Sequence, residues 1–261
     1  MHNYVISLTT QSTRREHICQ EFTKQGVAFE FFDAVTPEEL HELSVRHHVA
    51  LDDNTLLSAG EKACLMSHVC LWQKMLDDDI AYMAIFEDDI YLGEGADEFL
   101  THDDWLRTNH IDFIKIETFL QKKKLGKPTI TLAHGRTACK LNEYHLGTAG
   151  YILSQNAARK LLKQIQALST EEVIHIDRLI FDKFLFEYAI IDAYQMLPAL
   201  CVQEFILYPE QKSMPSVIES ERQTYRGNKK KRSILQKIQG ELGNAWKKTL
   251  GQLQRTYIDF K

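Results

Sequence analysis

Tyr82-Met83-Ala84-Ile85-Phe86-Glu87-Asp88-Asp89 is a short apolar and aromatic run that breaks off into three adjacent carboxylates. The apolar part is too short for an ordinary helix and reads as a strand buried on both faces. Three carboxylates at the carboxyl end of such a strand repel one another unless a cation sits among them. Ligands of open α/β sheets bind at that end of the strands. Hard divalent ions such as Mg²⁺ and Mn²⁺ take oxygen ligands, often one or two carboxylates together with a substrate's phosphates. Two readings stand side by side: a metal-diphosphate site, or an acidic loop of the kind that commonly follows a strand.

Upstream, Tyr4 to Leu8 reads as a first buried strand. Thr13-x-x-Glu16 is a capping-box pattern that opens a helix, which Gly26 can end. Phe29 to Phe32 reads as a second strand, so the chain opens as a βαβ unit. Arg14 and Arg15 then fall in the first helical turn, where the macrodipole disfavours cations. A bound anion would resolve that conflict, since helix amino termini take phosphates. Two solvated arginines are the alternative. Residues 34–57 show no sustained periodicity and read as variable surface. Ser58-x-x-Glu61 is a second capping box, and the helix behind it lines Leu65, Val69, Trp72 and Leu76 along one face. Ser67 and His68 flank that stripe, as structural hydrogen-bonding residues or as substrate contacts.

Downstream, Gly93-Glu94-Gly95 marks a turn, followed by a helical patch around Phe99 to Trp105 and a strand from Asp112 to Glu117. Gln121 to Pro128 reads as a polar, basic, hairpin-like loop. In His145-Leu146-Gly147-Thr148-Ala149-Gly150-Tyr151-Ile152 two glycines flank two small residues ahead of a strand, so backbone or ligand can approach closely there. A helix follows from Asn156 to about Ile165. Another begins near Asp177, a good N-cap, and turns Leu179, Ile180, Phe184 and Leu185 inward. Ala189 to Tyr194 and Ala199 to Gln203 read as late strands.

The chain of 261 residues is 44% hydrophobic and 26% charged, enough for one large α/β domain or a domain with an appendage. No run of about 18 apolar residues is present, and the first residues lack the basic and apolar blocks of a signal peptide. Five cysteines, at 19, 64, 70, 139 and 201, form no C-x-x-C pair and read as reduced residues of a cytosolic protein. Charge is uneven. Residues 226–261 hold ten positive and two negative side chains, a balance of +8; the whole chain carries −5, so residues 1–225 carry −13. Ile234, Ile238, Leu242, Trp246, Leu250, Leu253 and Tyr257 recur every three or four residues, as in a basic amphipathic helix that lies on an anionic membrane or packs back on protein. The G-x-G-x-x-G, Walker A, G-x-S-x-G and H-E-x-x-H patterns are missing, which weighs against a nicotinamide fold, a P-loop NTPase and a serine hydrolase. Lys229 to Arg232 is a weak nucleic-acid signal beside an acidic body, so no nucleic-acid partner is expected.

In matching order, Asn3-Tyr4-Val5-Ile6-Ser7-Leu8, Arg14-Arg15, Phe31-Phe32-Asp33-Ala34, Gly60-Glu61-Lys62-Ala63-Cys64, Met66-Ser67-His68, Phe86-Glu87-Asp88-Asp89, Gly147-Thr148-Ala149-Gly150-Tyr151-Ile152, Asp177 and Pro198-Ala199-Leu200-Cys201 resemble the bacterial lipooligosaccharide galactosyltransferases of glycosyltransferase family 25. The likeness covers about residues 1–205 and lies close to the β-1,4-galactosyltransferases. It implies a GT-A-like, Rossmann-like α/β domain over 1–208, with a polar linker and basic amphipathic tail over 209–261. It also implies an inverting mechanism, a UDP-galactose donor, a lipooligosaccharide acceptor, and work at the cytoplasmic face of the inner membrane, which the basic tail would touch.

On that resemblance Glu87-Asp88-Asp89 takes the place of a D-x-D motif, with Glu at its first position. Asp89 and Glu87 are the expected ligands of Mn²⁺ or Mg²⁺, with His145 as a further ligand or sugar contact. Ser7, Leu8, Arg14, Arg15, Ser67, His68, Asp88, Gly147 and Thr148 are the expected nucleotide-sugar contacts. The leaving diphosphate needs a neutralising cation, and the acceptor hydroxyl needs a carboxylate to take its proton. Asp177 is the first candidate for that base and Glu117 the second. The stretch from Gln121 to Cys139 departs from the family pattern and is a candidate for acceptor choice. Two rivals use the same residues differently: a metal-dependent phosphohydrolase or nucleotidyltransferase, and a non-enzymatic membrane-binding module whose tail does the work.

Overall fold

The first buried strand, β1 (His2–Ser7), runs parallel to β2 (Glu30–Asp33) on one side and to β3 (Tyr82–Glu87) on the other. The computed structural model describes residues 1–210 and 255–261. Because its neighbours lie on opposite sides of β1, the carboxyl ends of β1 and β3 border a crevice of the kind that binds ligands in doubly wound sheets. Strand alternation divides the core between two faces. Tyr4, Ile6, Met83 and Ile85 pack on one face, and Val5, Ala84 and Phe86 on the other. Helix α1 (Ser12–Lys24) covers the second face with Ile18 and Phe22.

After α2 (Leu40–Arg46), α3 (Ala59–Asp77) covers the first face with the fully buried Leu65, Val69 and Trp72. Each such side chain contributes roughly 1.5–3 kcal/mol by leaving water. The Ser58 box forms as the sequence predicts: Glu61 N donates to Ser58 Oγ (3.3 Å) and Ser58 N to Glu61 Oε2 (2.9 Å).

The chain continues through β4 (Ile90–Leu92), α4 (Ala96–Leu100), α5 (Asp104–Thr108), β5 (Phe113–Lys115), β6 (Glu117–Thr118), β7 (Lys122–Thr131), β8 (Thr137–Leu141) and β9 (Gly150–Ser154). Then come α6 (Gln155–Gln166), α7 (Ile176–Arg178) with a π-helical continuation over Leu179–Glu187, β10 (Tyr194–Leu197), β11 (Cys201–Gln203), α8 (Glu204–Leu207) and β12 (Arg255–Tyr257). Among the described residues nine strands form one sheet in the order β12-β7-β8-β10-β5-β9-β3-β1-β2, and β4-β11-β6 form a small second sheet. The small sheet matters for the site. Strand β11 pairs parallel to β6, with Val202 opposite Thr118, and antiparallel to β4, with Gln203 opposite Ile90. It thereby draws the end of β11 to the residues just after β3.

The α/β expectation is met, and several local expectations are corrected. The Thr13/Glu16 box does not form: α1 starts at Ser12, and its N-cap Gln11 has no side-chain cap bond. Residues 34–57 are not featureless, since a 3₁₀ turn capped by Thr36 and Glu39 leads into α2. The patch from Phe99 to Trp105 is divided between α4 and α5. The supposed loop from Gln121 to Pro128 lies largely in β7, a ten-residue strand with a bulge between Gly126 and Thr129. Asp177 is not an N-cap; His175 holds that position and Asp177 sits inside the first turn. The late strand begins only at Tyr194.

Most of the proposed amphipathic tail helix lies outside the described residues. Its last member, Tyr257, is in a strand: β12 pairs with β7, and the following Ile258 is fully buried. Cys19, Cys64, Cys70, Cys139 and Cys201 are all free thiols. Among the described residues no helix is long and apolar enough to cross a membrane.

Candidate active site at the carboxyl end of β3

Strand β3 delivers Glu87, and the two residues after it, Asp88 and Asp89, are almost fully buried. Ser7, the last residue of β1, donates from Oγ to Asp88 Oδ2 (2.7 Å). Arg14 pairs with the other oxygen of Asp88 and lies 3.7 Å from Asp89 Oδ2. Burial works against the Arg14 charge, yet Asp88 and Asp89 hold its pKa above the usual value. Arg15 is tied down separately: it donates to the Ser7 carbonyl (2.9 Å) and the Leu8 carbonyl (3.2 Å), pairs with Asp33, and lies 4.6 Å over the Phe31 ring. The two arginines of the first turn thus meet carboxylates from the ends of neighbouring strands, which offsets their clash with the helix dipole.

Gln203 joins the outer two carboxylates. Its Nε2 donates to Glu87 Oε2 (3.2 Å) and to Asp89 Oδ1 (3.0 Å), so these oxygens converge on one point. Thr148 Oγ1 donates to Glu87 Oε1 (3.1 Å). Burial, then Asp89 and Glu117, push the Glu87 carboxyl up to about 8. Burial also raises Asp89, although Arg14 and Gln203 oppose it. Four carboxylates, Glu87, Asp88, Asp89 and Glu117, face two cations, Arg14 and Lys115. Burial and neighbouring carboxylates raise Glu87 and Asp89, a strain that a hard divalent cation would relieve, and these two, which share Gln203 Nε2 here, are the oxygen donors that would hold it.

Glu117 lies deeper. It and Lys115 are both fully buried, with Lys115 Nζ donating to Glu117 Oε2 (2.8 Å) and to the Gly147 carbonyl (2.6 Å). Gly150 N also donates to Oε2 (3.3 Å), while the buried Oε1 has no hydrogen-bond partner. Burial raises the Glu117 pKa against the pull of Lys115. Gly147, at φ +86°, packs so closely that a Cβ would run into Glu117 Oε1 and the Phe119 ring. Only glycine suits that position.

Asp177 also reaches the Gly147 turn. It accepts from Tyr144 Oη (3.2 Å) and, at longer reach, from Gly147 N (3.5 Å), and it remains partly exposed.

Three expected site residues stand apart. His145 is buried and shares Nδ1 with Gln195 Oε1 (2.8 Å), leaving Nε2 without a partner. It does not join Glu87 and Asp89, and no three of His, Cys, Asp and Glu gather as a metal shell among the described residues. Ser67 accepts from Val35 N (2.9 Å) and donates to the Ala63 carbonyl (2.9 Å). His68 meets Tyr151 Oη at 2.8 Å, which also accepts from Trp72 Nε1 (3.0 Å). These contacts are core hydrogen bonds of α3, and burial lowers the His68 pKa to about 3.

Two residues of the site were missed in the sequence. Gln203 closes the apolar run of β11 with a polar residue, as Glu87 closes β3. Lys115 shares a strand face with the core residue Phe113, and a lysine on a buried face requires a carboxylate partner.

Residues 1–180 match the family described as glycosyltransferase family 25 (LPS biosynthesis protein). Among similar proteins, the lipooligosaccharide biosynthesis protein lic2B of Haemophilus influenzae is 41% identical, over 89% of this chain and 87% of its own length. The lacto-N-neotetraose biosynthesis glycosyltransferase LgtE of Neisseria gonorrhoeae is 35% identical, over 99% and 96% respectively. LgtB of Neisseria meningitidis serogroup B, with the same description, is 37% identical over 85% and 83%. With an α/β sheet and an acidic strand end of this construction, the chain belongs to glycosyltransferase family 25.

Proposed function

We propose that this chain is a GT-A-like inverting galactosyltransferase that moves galactose from UDP-galactose to a sugar hydroxyl of a lipooligosaccharide acceptor. The observation that carries the reading is that Glu87 and Asp89 are brought together on Gln203 Nε2 at the carboxyl end of β3, beside Arg14. The names of the relatives, which speak of lipooligosaccharide and lacto-N-neotetraose biosynthesis, favour sugar transfer over the phosphohydrolase and membrane-module alternatives. Bound at Glu87 and Asp89, Mn²⁺ or Mg²⁺ would supply Lewis-acid neutralisation of the leaving diphosphate. Arg14 stands within reach of the same charge. The basic segment 226–261 would hold the enzyme against the anionic cytoplasmic face of the inner membrane.

In the transfer, the acceptor oxygen forms a bond to the anomeric carbon as the carbon–phosphate-oxygen bond breaks and UDP leaves with the electron pair. Asp177 takes the hydroxyl proton. It is partly exposed and held by Tyr144, whereas Glu117 is sealed in with Lys115 and serves to fix the Gly147 turn. Proton transfer of this kind contributes about 10²–10⁴-fold in rate.

The test is product analysis by NMR after incubation with UDP-galactose, Mn²⁺ and lipooligosaccharide-derived oligosaccharide. A new β-linked galactose, inverted from the α-linked donor, supports the reading. Release of galactose or galactose phosphate with no glycosidic product would favour the hydrolase.

A further inference from the structure

We infer that Phe119 and Phe205 form an aromatic platform for the face of the acceptor pyranose, an assignment that rests on the transferase reading above. The small sheet creates it. Strands β6 and β11 run parallel, with Val202 opposite Thr118, so both chains emerge from the sheet at the same end. Phe119 is the next residue after β6, and Phe205 lies two residues beyond Gln203. The two rings meet edge-to-face with centroids 6.0 Å apart. Phe119 continues inward to the buried His145 ring at 6.2 Å and packs over Gly147.

Phe205 is 51% exposed. Half of its surface is covered, with the ring set edge-to-face on Phe119, and the other half is open to solvent and to a ligand at this place. The platform is continuous with the site. Gln203, which bridges Glu87 and Asp89, is separated from Phe205 only by Glu204, whose N–H donates to the Asp89 carbonyl (2.8 Å). A group resting on Phe205 is therefore held beside the carboxylates that would carry the donor's charge.

The chemistry selects the occupant. The electron-rich face of an aromatic ring attracts polarised C–H bonds, and one face of a pyranose presents several C–H groups together while its hydroxyls point outward. The charge of a nucleotide diphosphate belongs with the cation site and Arg14, and stacking of its uracil on the platform instead of a sugar would show as a loss of UDP affinity when the rings are removed. The platform therefore serves the acceptor saccharide.

The test measures saccharide binding by saturation-transfer difference NMR on the full chain with UDP and Mn²⁺ present. The probes are methyl β-glucoside, methyl β-galactoside and methyl N-acetyl-β-glucosaminide, and UDP affinity is measured alongside. In Phe205→Ala the dissociation constant of the bound saccharide should rise about tenfold. In Phe205→Trp it should stay within about twofold, because an aromatic face is restored. Phe119→Leu should also weaken the saccharide, and UDP affinity should be unchanged in all three variants.

The inference is overturned if Phe205→Ala binds the saccharide like wild type. It is equally overturned if UDP affinity falls in step with saccharide affinity, or if wild-type protein binds UDP but none of the three sugars. Failure of wild type to bind UDP would instead strike the transferase reading, and the saccharide series would still judge the platform.

Discussion

Replacing Lys115 with methionine removes the ammonium group that pairs with Glu117 in the sealed interior of the site. Lys115 and Glu117 are both fully buried, and the ammonium makes hydrogen bonds of 2.8 Å to Glu117 and 2.6 Å to the Gly147 carbonyl. It also lies 4.5 Å from the centroid of the Phe181 ring. Methionine keeps most of the side chain's bulk, so the change isolates the charge and its two hydrogen bonds. Breaking one side of a buried ion pair typically costs about 3–5 kcal/mol, because the remaining charge is left in a poor solvent.

For a domain of this size each kcal/mol lowers Tm by roughly 2–4 °C, so Lys115→Met should melt about 6–20 °C below wild type. Glu117 is left to take up a proton, so the deficit should shrink as pH falls. The double variant Lys115→Met/Glu117→Leu should recover much of the loss, because two neutral side chains of similar bulk then face each other. The assay is thermal melting by circular dichroism at several pH values. A single variant that melts within about 2 °C of wild type, less than 1 kcal/mol, would refute the argument, as would a double variant no more stable than the single one.

His68 and His145 are both buried and neutral, with pKa values lowered to about 3 and about 2 chiefly by burial. Their stabilisation is present above the ordinary histidine pKa and is lost as pH falls from there toward those values, since the unfolded chain takes up protons that the fold refuses. His68→Gln should therefore flatten the stability–pH slope between pH 6 and 4 by about 1.4 kcal/mol per unit, measured by urea titration; an unchanged slope would show that His68 does not hold its proton off. Gly147→Ala places a Cβ against Glu117 and Phe119 at positive φ, and should cost about 1–3 kcal/mol and most of the transfer rate, read by melting and by UDP release. Ile258 is fully buried, and its carbonyl accepts from Thr118 Oγ1 (2.7 Å), so Ile258→Ala should cost about 2–5 kcal/mol in a denaturant titration; a loss below about 0.5 kcal/mol would mean that this segment is not part of the folded body.

Several patterns that depend on one stretch of chain were readable, although the Thr13/Glu16 box, equally local, did not form because α1 starts at Ser12. The apolar run ending at Glu87, the Ser58/Glu61 box and the stripe of α3 are local signals, and each took the expected form. Strand β7 was hidden because Lys122-Lys123-Lys124-Leu125-Gly126-Lys127 has neither hydrophobic alternation nor strand propensity. It is extended because β8 and β12 pair with it from both sides, and such pairing outweighs intrinsic preference. Asp177 carried the composition of an N-cap, but the helix starts one residue earlier and its carboxylate turns to Tyr144 instead. His145 lay beside a glycine turn that pointed to the site, yet Gln195, fifty residues away, takes its Nδ1. Gln203 joined the site only through the pairing of β11 with β4 and β6. Long-range pairing of that kind leaves no mark on neighbouring residues.

The central claim is that the acidic end of β3 holds a cation and, with it, a nucleotide-sugar. Titration calorimetry of the full chain with UDP-galactose, with and without Mn²⁺, in wild type and in Asp89→Asn, tests it most directly. Donor binding should require Mn²⁺ and be lost in Asp89→Asn while the variant's melting curve stays cooperative. Binding of equal strength without the metal, or undiminished in a folded Asp89→Asn protein, would contradict it.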